Sequence, residues 1–211
     1  MKEIYPKLFF EEFESREKMS NTFMRFYGHY ENPHFKGKVF TKKQFERWFR
    51  NKTVEGREYG LRFWDIADGF NVPNYVFKPF FEGRFNSLSL EETNLLEKVS
   101  KIQYKRFIIV SVLKEEEENL KHELAHGFYY LNCEYKKDVD NYLRSLSRKA
   151  NEKLIGFILG EGIYSNKNVN DEIHANLLTR HHIFYDEEEG FSQEEVIRMN
   201  QDIGEIFSRY C

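Results

Sequence analysis

Arg106-Phe-Ile-Ile-Val-Ser-Val-Leu113, Glu115-Glu-Glu-Glu118 and His122-Glu-Leu-Ala-His126 follow one another closely in this chain, and the fold is decided there. The first run is apolar and β-branched, which predicts an interior strand, and it is far too short to cross a membrane. The four carboxylates suit the positive end of a helix dipole, so the next helix should start beside them. In that helix Leu120, Leu124, Phe128 and Leu131 stand at i, i+4, i+8 and i+11 and are expected to pack on the core. His122, His126 and Tyr129 then face another way. Strand, acidic cap and amphipathic helix together predict an α+β fold, mostly helical, with a small sheet before the helix that carries HExxH.

Residues four apart share a helix face, so His122 and His126 can point at one ion. Glu123 projects beside them, placed to take a proton from a metal-bound water. The pattern therefore points to a zinc-dependent hydrolase; the plain alternative is two surface histidines on an amphipathic helix. A catalytic zinc wants three protein ligands and an open position. Metzincin spacing would place a glycine and a histidine where this chain has Tyr129 and Asn132, which excludes that class. The remaining common solution is a glutamate from a later helix, and Glu172, in Asp171-Glu-Ile-His-Ala-Asn-Leu-Leu178, is the candidate. His174 is its rival. Two positions apart on a helix, the two side chains diverge, so only one can bind. Asp171 is a candidate acceptor for an imidazole N–H, or simply an acidic residue in a first helical turn. For stabilising an oxyanion, Tyr129, Tyr130, Tyr164, His181, His182 and Tyr185 are all eligible, with Tyr185 and His181 preferred because they follow the second ligand helix.

HELAH followed by E-x-x-A-N in a later helix resembles the ImmA/IrrE branch of gluzincin-type HExxH metallopeptidases. The resemblance implies a zincin-like fold in which His122, His126 and Glu172 hold Zn2+ and Glu123 is the general base. Ala175 and Asn176 match the family's second motif, where they let the two helices approach. The matched motifs cover about a tenth of the chain, and the aromatic N-terminal half lies outside them. A protein or peptide substrate is the expected partner and hydrolysis of a peptide bond the expected reaction.

The 211 residues are expected to form a single domain, with an aromatic-rich subregion over 1–100 and a catalytic one over 101–211. Aromatics reach 17%, with 21 Phe and 13 Tyr, enough for a core built of rings. A net charge of −3 argues against a global nucleic-acid binder. Cys133 and Cys211 are too few for a disulfide framework and suit reduced thiols in a cytoplasmic protein. Charges interrupt the N-terminus before a signal peptide could form, which leaves secretion only by an unconventional route. Neither a membrane partner nor an oligomeric state follows from these features.

Elsewhere, Thr41 with Gln44, Ser89 with Glu92 and Ser192 with Glu195 read as capping boxes opening helices. Residues 7–27 read as one or two helices, 54–85 as loops, short strands and turns, and 138–159 as helix interrupted around Gly156 and Gly160. A helix capped by Asn170 should run to about Arg180. Residues 36–62 carry Lys or Arg at 36, 38, 42, 43, 47, 50, 52, 57 and 62, interleaved with Phe35, Phe40, Phe45, Trp48, Phe49 and Tyr59. Such a segment can bind nucleic acid, although rings at 45, 48 and 49 share one face as buried rings do. Phe63-Trp64-Asp65 and Gly69 to Pro73 could line a groove or pack in the core. The competing class is a non-catalytic, regulatory metal-containing protein that binds protein or peptide, with nucleic acid through 36–62 the less favoured form.

Overall fold

The computed structural model describes residues 1–85, 87–160, 168–186 and 190–211, and the chain divides into two compact units, Met1–Leu120 and Lys121–Cys211. The fold is α+β and mostly helical. The first unit runs β1 (Lys2–Tyr5), β2 (Leu8–Phe13), α1 (Arg16–Tyr30), α2 (Lys42–Lys52), α3 (Val54–Glu58), α4 (Phe63–Ile66), β3 (Gly69–Pro73), a 3-10 turn (Asn74–Phe77), α5 (Lys78–Phe81), α6 (Leu90–Val99) and β4 (Ile108–Leu113).

The four strands form one sheet in the order β1-β2-β4-β3. As the run Arg106–Leu113 predicts, β4 is interior. It pairs in parallel with β2 (Leu8 opposite Ile108, Phe13 opposite Leu113) and antiparallel with β3 (Phe70 opposite Ser111, Val72 opposite Ile109). The expectation of helix from residue 7 is corrected here, because Leu8–Phe13 is a strand. Leu8 and Phe13 are both buried although they point to opposite faces, so the clean two-residue alternation of a half-exposed strand is lost. Residues 54–85 hold β3 as expected but also three short helices, each too brief to show a helical period. The capping boxes at Thr41/Gln44 and Ser89/Glu92 are both formed, opening α2 and α6.

Rings fill this unit's core. Phe23 stacks on Phe70 with centroids 5.6 Å apart, and Phe80 stacks on Phe85 at 3.9 Å. Phe35, Phe40, Phe45 and Phe49 are buried, so most aromatics of the basic segment are core rather than stacking platforms. Phe63, Phe70 and Val72 are buried too, so these members of the 63–73 segment pack in the core, while Trp64 is half-buried and Asp65 exposed. At Gly28 the helix comes so close to Phe40 that an added Cβ would lie 2.6 Å from its ring. Arg25 and Glu92 form a buried ion pair across α1 and α6: Nε donates to Oε1 at 2.7 Å, and Nη1 donates to the Phe85 carbonyl at 3.2 Å.

The second unit is helical: α7 (Glu117–Leu131, whose first turn belongs to the first unit), α8 (Cys133–Ser145), α9 (Arg148–Gly160), α10 (Val169–Thr179), a 3-10 turn (His181–Phe184) and α11 (Gln193–Ser208). Asn132 caps α8 through its side-chain oxygen, and the Ser192/Glu195 box caps α11. A break falls at Leu146–Ser147, and Gly156, expected to interrupt the helix, lies within α9; Gly160 is the last residue of α9, and those after it lie outside the described residues. Asn170 is likewise not a cap, since α10 begins one residue before it and its amide reaches Asp140. Helix α10 packs against α8, α9 and α11, and every residue from Glu172 to Thr179 is buried. Cys133 and Cys211 are free and exposed. Among the described residues no helix is long and apolar enough to cross a membrane.

Candidate metal centre

Helix α7 buries the face that carries the motif. His122, Glu123, Ala125, His126 and Phe128 are buried, whereas Leu120, Leu124 and Leu131 are only partly so. This corrects the expectation of a leucine-led core face. The polar residues go inside because α10 brings matching groups to meet them, a property of the second helix that hydrophobicity along the first does not reveal.

His122, His126 and Glu172 converge: one ligand atom from each lies within 4.8 Å of the others. The two Nε2 atoms are 3.2 Å apart, and Glu172 Oε2 lies 3.9 Å from His126 Nε2. Tetrahedral zinc with Zn–N near 2.0 Å sets ligand nitrogens about 3.3 Å apart, so the imidazole pair already spans one edge of such a site. The carboxylate is slightly wide of the next edge, on a terminal torsion that turns easily. The donors present therefore fit a metal ion.

Asp171 does accept an imidazole N–H. Its Oδ1 stands 2.9 Å from His126 Nδ1, and because a carboxylate only accepts, Nδ1 carries a proton, so in the neutral ring Nε2 turns its lone pair to the centre. Burial alone would push the His126 pKa down, but Asp171, Glu172 and Glu123 outweigh it and hold it well above the usual value. His122 goes the other way, well below its ordinary value, through burial first and then the neighbouring charge of His126 and Arg180. His122 Nδ1 meets Thr179 Oγ1 at 2.9 Å.

His174 is not among the converging ligands. It is wholly buried, stacks on Tyr129 with centroids 5.0 Å apart, and has Asp171 Oδ1 3.6 Å from its Nδ1. Burial pushes its pKa down to about 4, so it is a neutral ring behind the Asp171–His126 pair. Tyr129 donates its hydroxyl to Asp140 Oδ1 at 2.7 Å, and Asn170 donates to the same oxygen at 3.3 Å. Asp140 thereby joins α7, α8 and α10.

Glu123, the expected base, is buried with 7% exposure and close enough to His126 for its charge to act there. His181 sits in the 3-10 turn after α10, partly buried, with Nδ1 unpartnered among the described residues. Tyr185 follows the turn, 43% exposed and bridged to Phe191. Tyr164 lies outside the described residues. Sequence reasoning missed Thr179 and Asp140. The signal for Thr179 was there: it follows Glu172 by two helical turns and so shares its face. No family model, curated protein or solved structure matches this chain.

Proposed function

We propose that this chain is a zinc-dependent metallopeptidase of gluzincin type, a hydrolase in which His122, His126 and Glu172 bind the metal and Glu123 is the general base. The observation that carries the reading is the convergence of the three ligand atoms, with the imidazole nitrogens 3.2 Å apart. The E-x-x-A-N motif supports the gluzincin assignment, and a nitrogen-rich donor set with one carboxylate suits zinc. Bound there, zinc would lower the pKa of its water and polarise a substrate carbonyl.

The chain's own work is proton handling and orientation. Glu123 takes the proton as water oxygen bonds to the carbonyl carbon, and delivers it to the amine nitrogen as the C–N bond breaks. Asp171 fixes the ring of His126. His181 or Tyr185, just past α10, would supply a donor to the developing oxyanion. A protein or peptide in the cytoplasm is the substrate this reading assigns.

The test compares wild type with Glu123→Gln by mass-spectrometric substrate profiling and metal analysis. Gln should keep the zinc and lose turnover by at least about 100-fold. Equal cleavage by both proteins would reject the mechanism. Zinc with no cleavage by wild type would favour the regulatory, non-catalytic class.

A further inference from the structure

We propose that Thr179 is a positioning residue that holds His122 in the tautomer a metal requires. The proposal rests on the metal reading above and adds to it a residue outside the ligand set. A neutral imidazole has one N–H, and only its other nitrogen can be a ligand. For His122 the question is therefore which way the 2.9 Å contact with Thr179 Oγ1 runs. A hydroxyl can donate or accept, but this one has its single proton engaged: Oγ1 donates to the Ala175 carbonyl at 2.8 Å, one turn back along α10. It is left to accept. Nδ1 of His122 is then the protonated nitrogen, and Nε2 directs its lone pair to the centre.

The opposite tautomer would close the site. With both rings neutral, a proton on His122 Nε2 would stand 3.2 Å from His126 Nε2, whose lone pair then faces it because Asp171 holds the proton on the far side of that ring. The two ligands would bond to each other, and an incoming metal would have to break that bond. Thr179 biases His122 away from this state. It does so with a neutral group, whereas His126 is held by a carboxylate, so the site gains orientation without a further negative charge. Asp171 in the first turn of α10 and Thr179 in its last thus orient both histidines, while Glu172 on the same helix supplies the third ligand.

The test uses Thr179→Val, which keeps the shape and removes the acceptor, with Thr179→Ser as the conservative rescue. Nitrogen-15 NMR of metal-free protein, at alkaline pH where both rings are neutral, reads the tautomer. Competition with a chromophoric chelator at neutral pH reads zinc affinity. Wild type and T179S should show His122 protonated on Nδ1. T179V should shift the proton toward Nε2 and bind zinc about 10- to 100-fold more weakly. Tight zinc binding by wild type with T179V unchanged in both readouts would overturn this role alone; the Ala175 carbonyl, also beside the ring, would then be the acceptor that matters. Wild type that takes up no zinc would overturn the metal reading and this role together. Should T179V fail to fold, a wild-type His122 protonated on Nε2 would still refute the proposal.

Discussion

Glu172 is a carboxylate with only 2% of its surface exposed, inside a helical unit and facing two imidazoles. Taking a charge out of water costs several kcal/mol unless an opposite charge or a metal meets it, and a divalent cation between these three residues would meet it. Glu172→Gln keeps the side-chain volume but removes the charge, so zinc affinity should fall by more than the about 10- to 100-fold expected for an outer partner such as Thr179. Isothermal titration of both proteins measures it, and equal affinities would place the third ligand elsewhere. At this scale the motif residues were legible because ligand spacing on a helix is fixed. The choice between Glu172 and His174 was not, because it depends on how α10 is rotated about its own axis. Thr179 shares the face of Glu172, but spacing alone does not say that a threonine there meets His122, which only the packing of α10 on α7 decides.

Asp140 is the point where α7, α8 and α10 are tied, by Tyr129, Asn170 and Lys136. Burial raises its pKa, but those donors outweigh burial and leave it below the ordinary value of 3.8. A depressed carboxyl pKa contributes stability that is complete above the unfolded value and lost as pH falls through the folded one. Asp140→Asn should therefore lower stability at pH 7 by about 1 kcal/mol, partial exposure having reduced the value of charged hydrogen bonds. In urea titrations the gap between the two proteins should persist down to about pH 4 and close below it. A gap that stays constant through pH 3 would mean the carboxylate charge is not what ties the helices. Elements were legible where local chemistry decides them: all three capping boxes form, and β4 is the interior strand expected. They were not where tertiary partners decide. Leu8–Phe13 is a strand because β4 pairs with it, and α7 buries its histidine face because α10 supplies acceptors for it.

Each of the two units carries its own buried polar centre. In the first it is Arg25–Glu92, and breaking one side leaves an unpaired buried charge. Arg25→Met should cost about 3–5 kcal/mol, and Arg25→Met with Glu92→Leu should recover much of that loss. Denaturant midpoints decide it, and a double variant no better than the single would show that the pair's further contacts to the Phe85 and Ser87 carbonyls matter more. The aromatic composition predicts a core of rings, and Phe45 and Phe49 of the basic 36–62 segment are buried as their shared face implies, whereas the burial of Phe35 and Phe40 is legible only in the folded unit. In the second unit the centre is the His122, His126 and Glu172 cluster, which could hold a metal ion; an ion bound only by the folded chain would stabilise it by mass action, about 2.7 kcal/mol at a hundredfold excess over Kd. The most direct test is zinc stoichiometry by elemental analysis after dialysis, for wild type, His122→Ala and Glu172→Ala. One zinc per wild-type chain and none in either variant is the expected result; a wild type without zinc, or variants that keep it, would contradict the account.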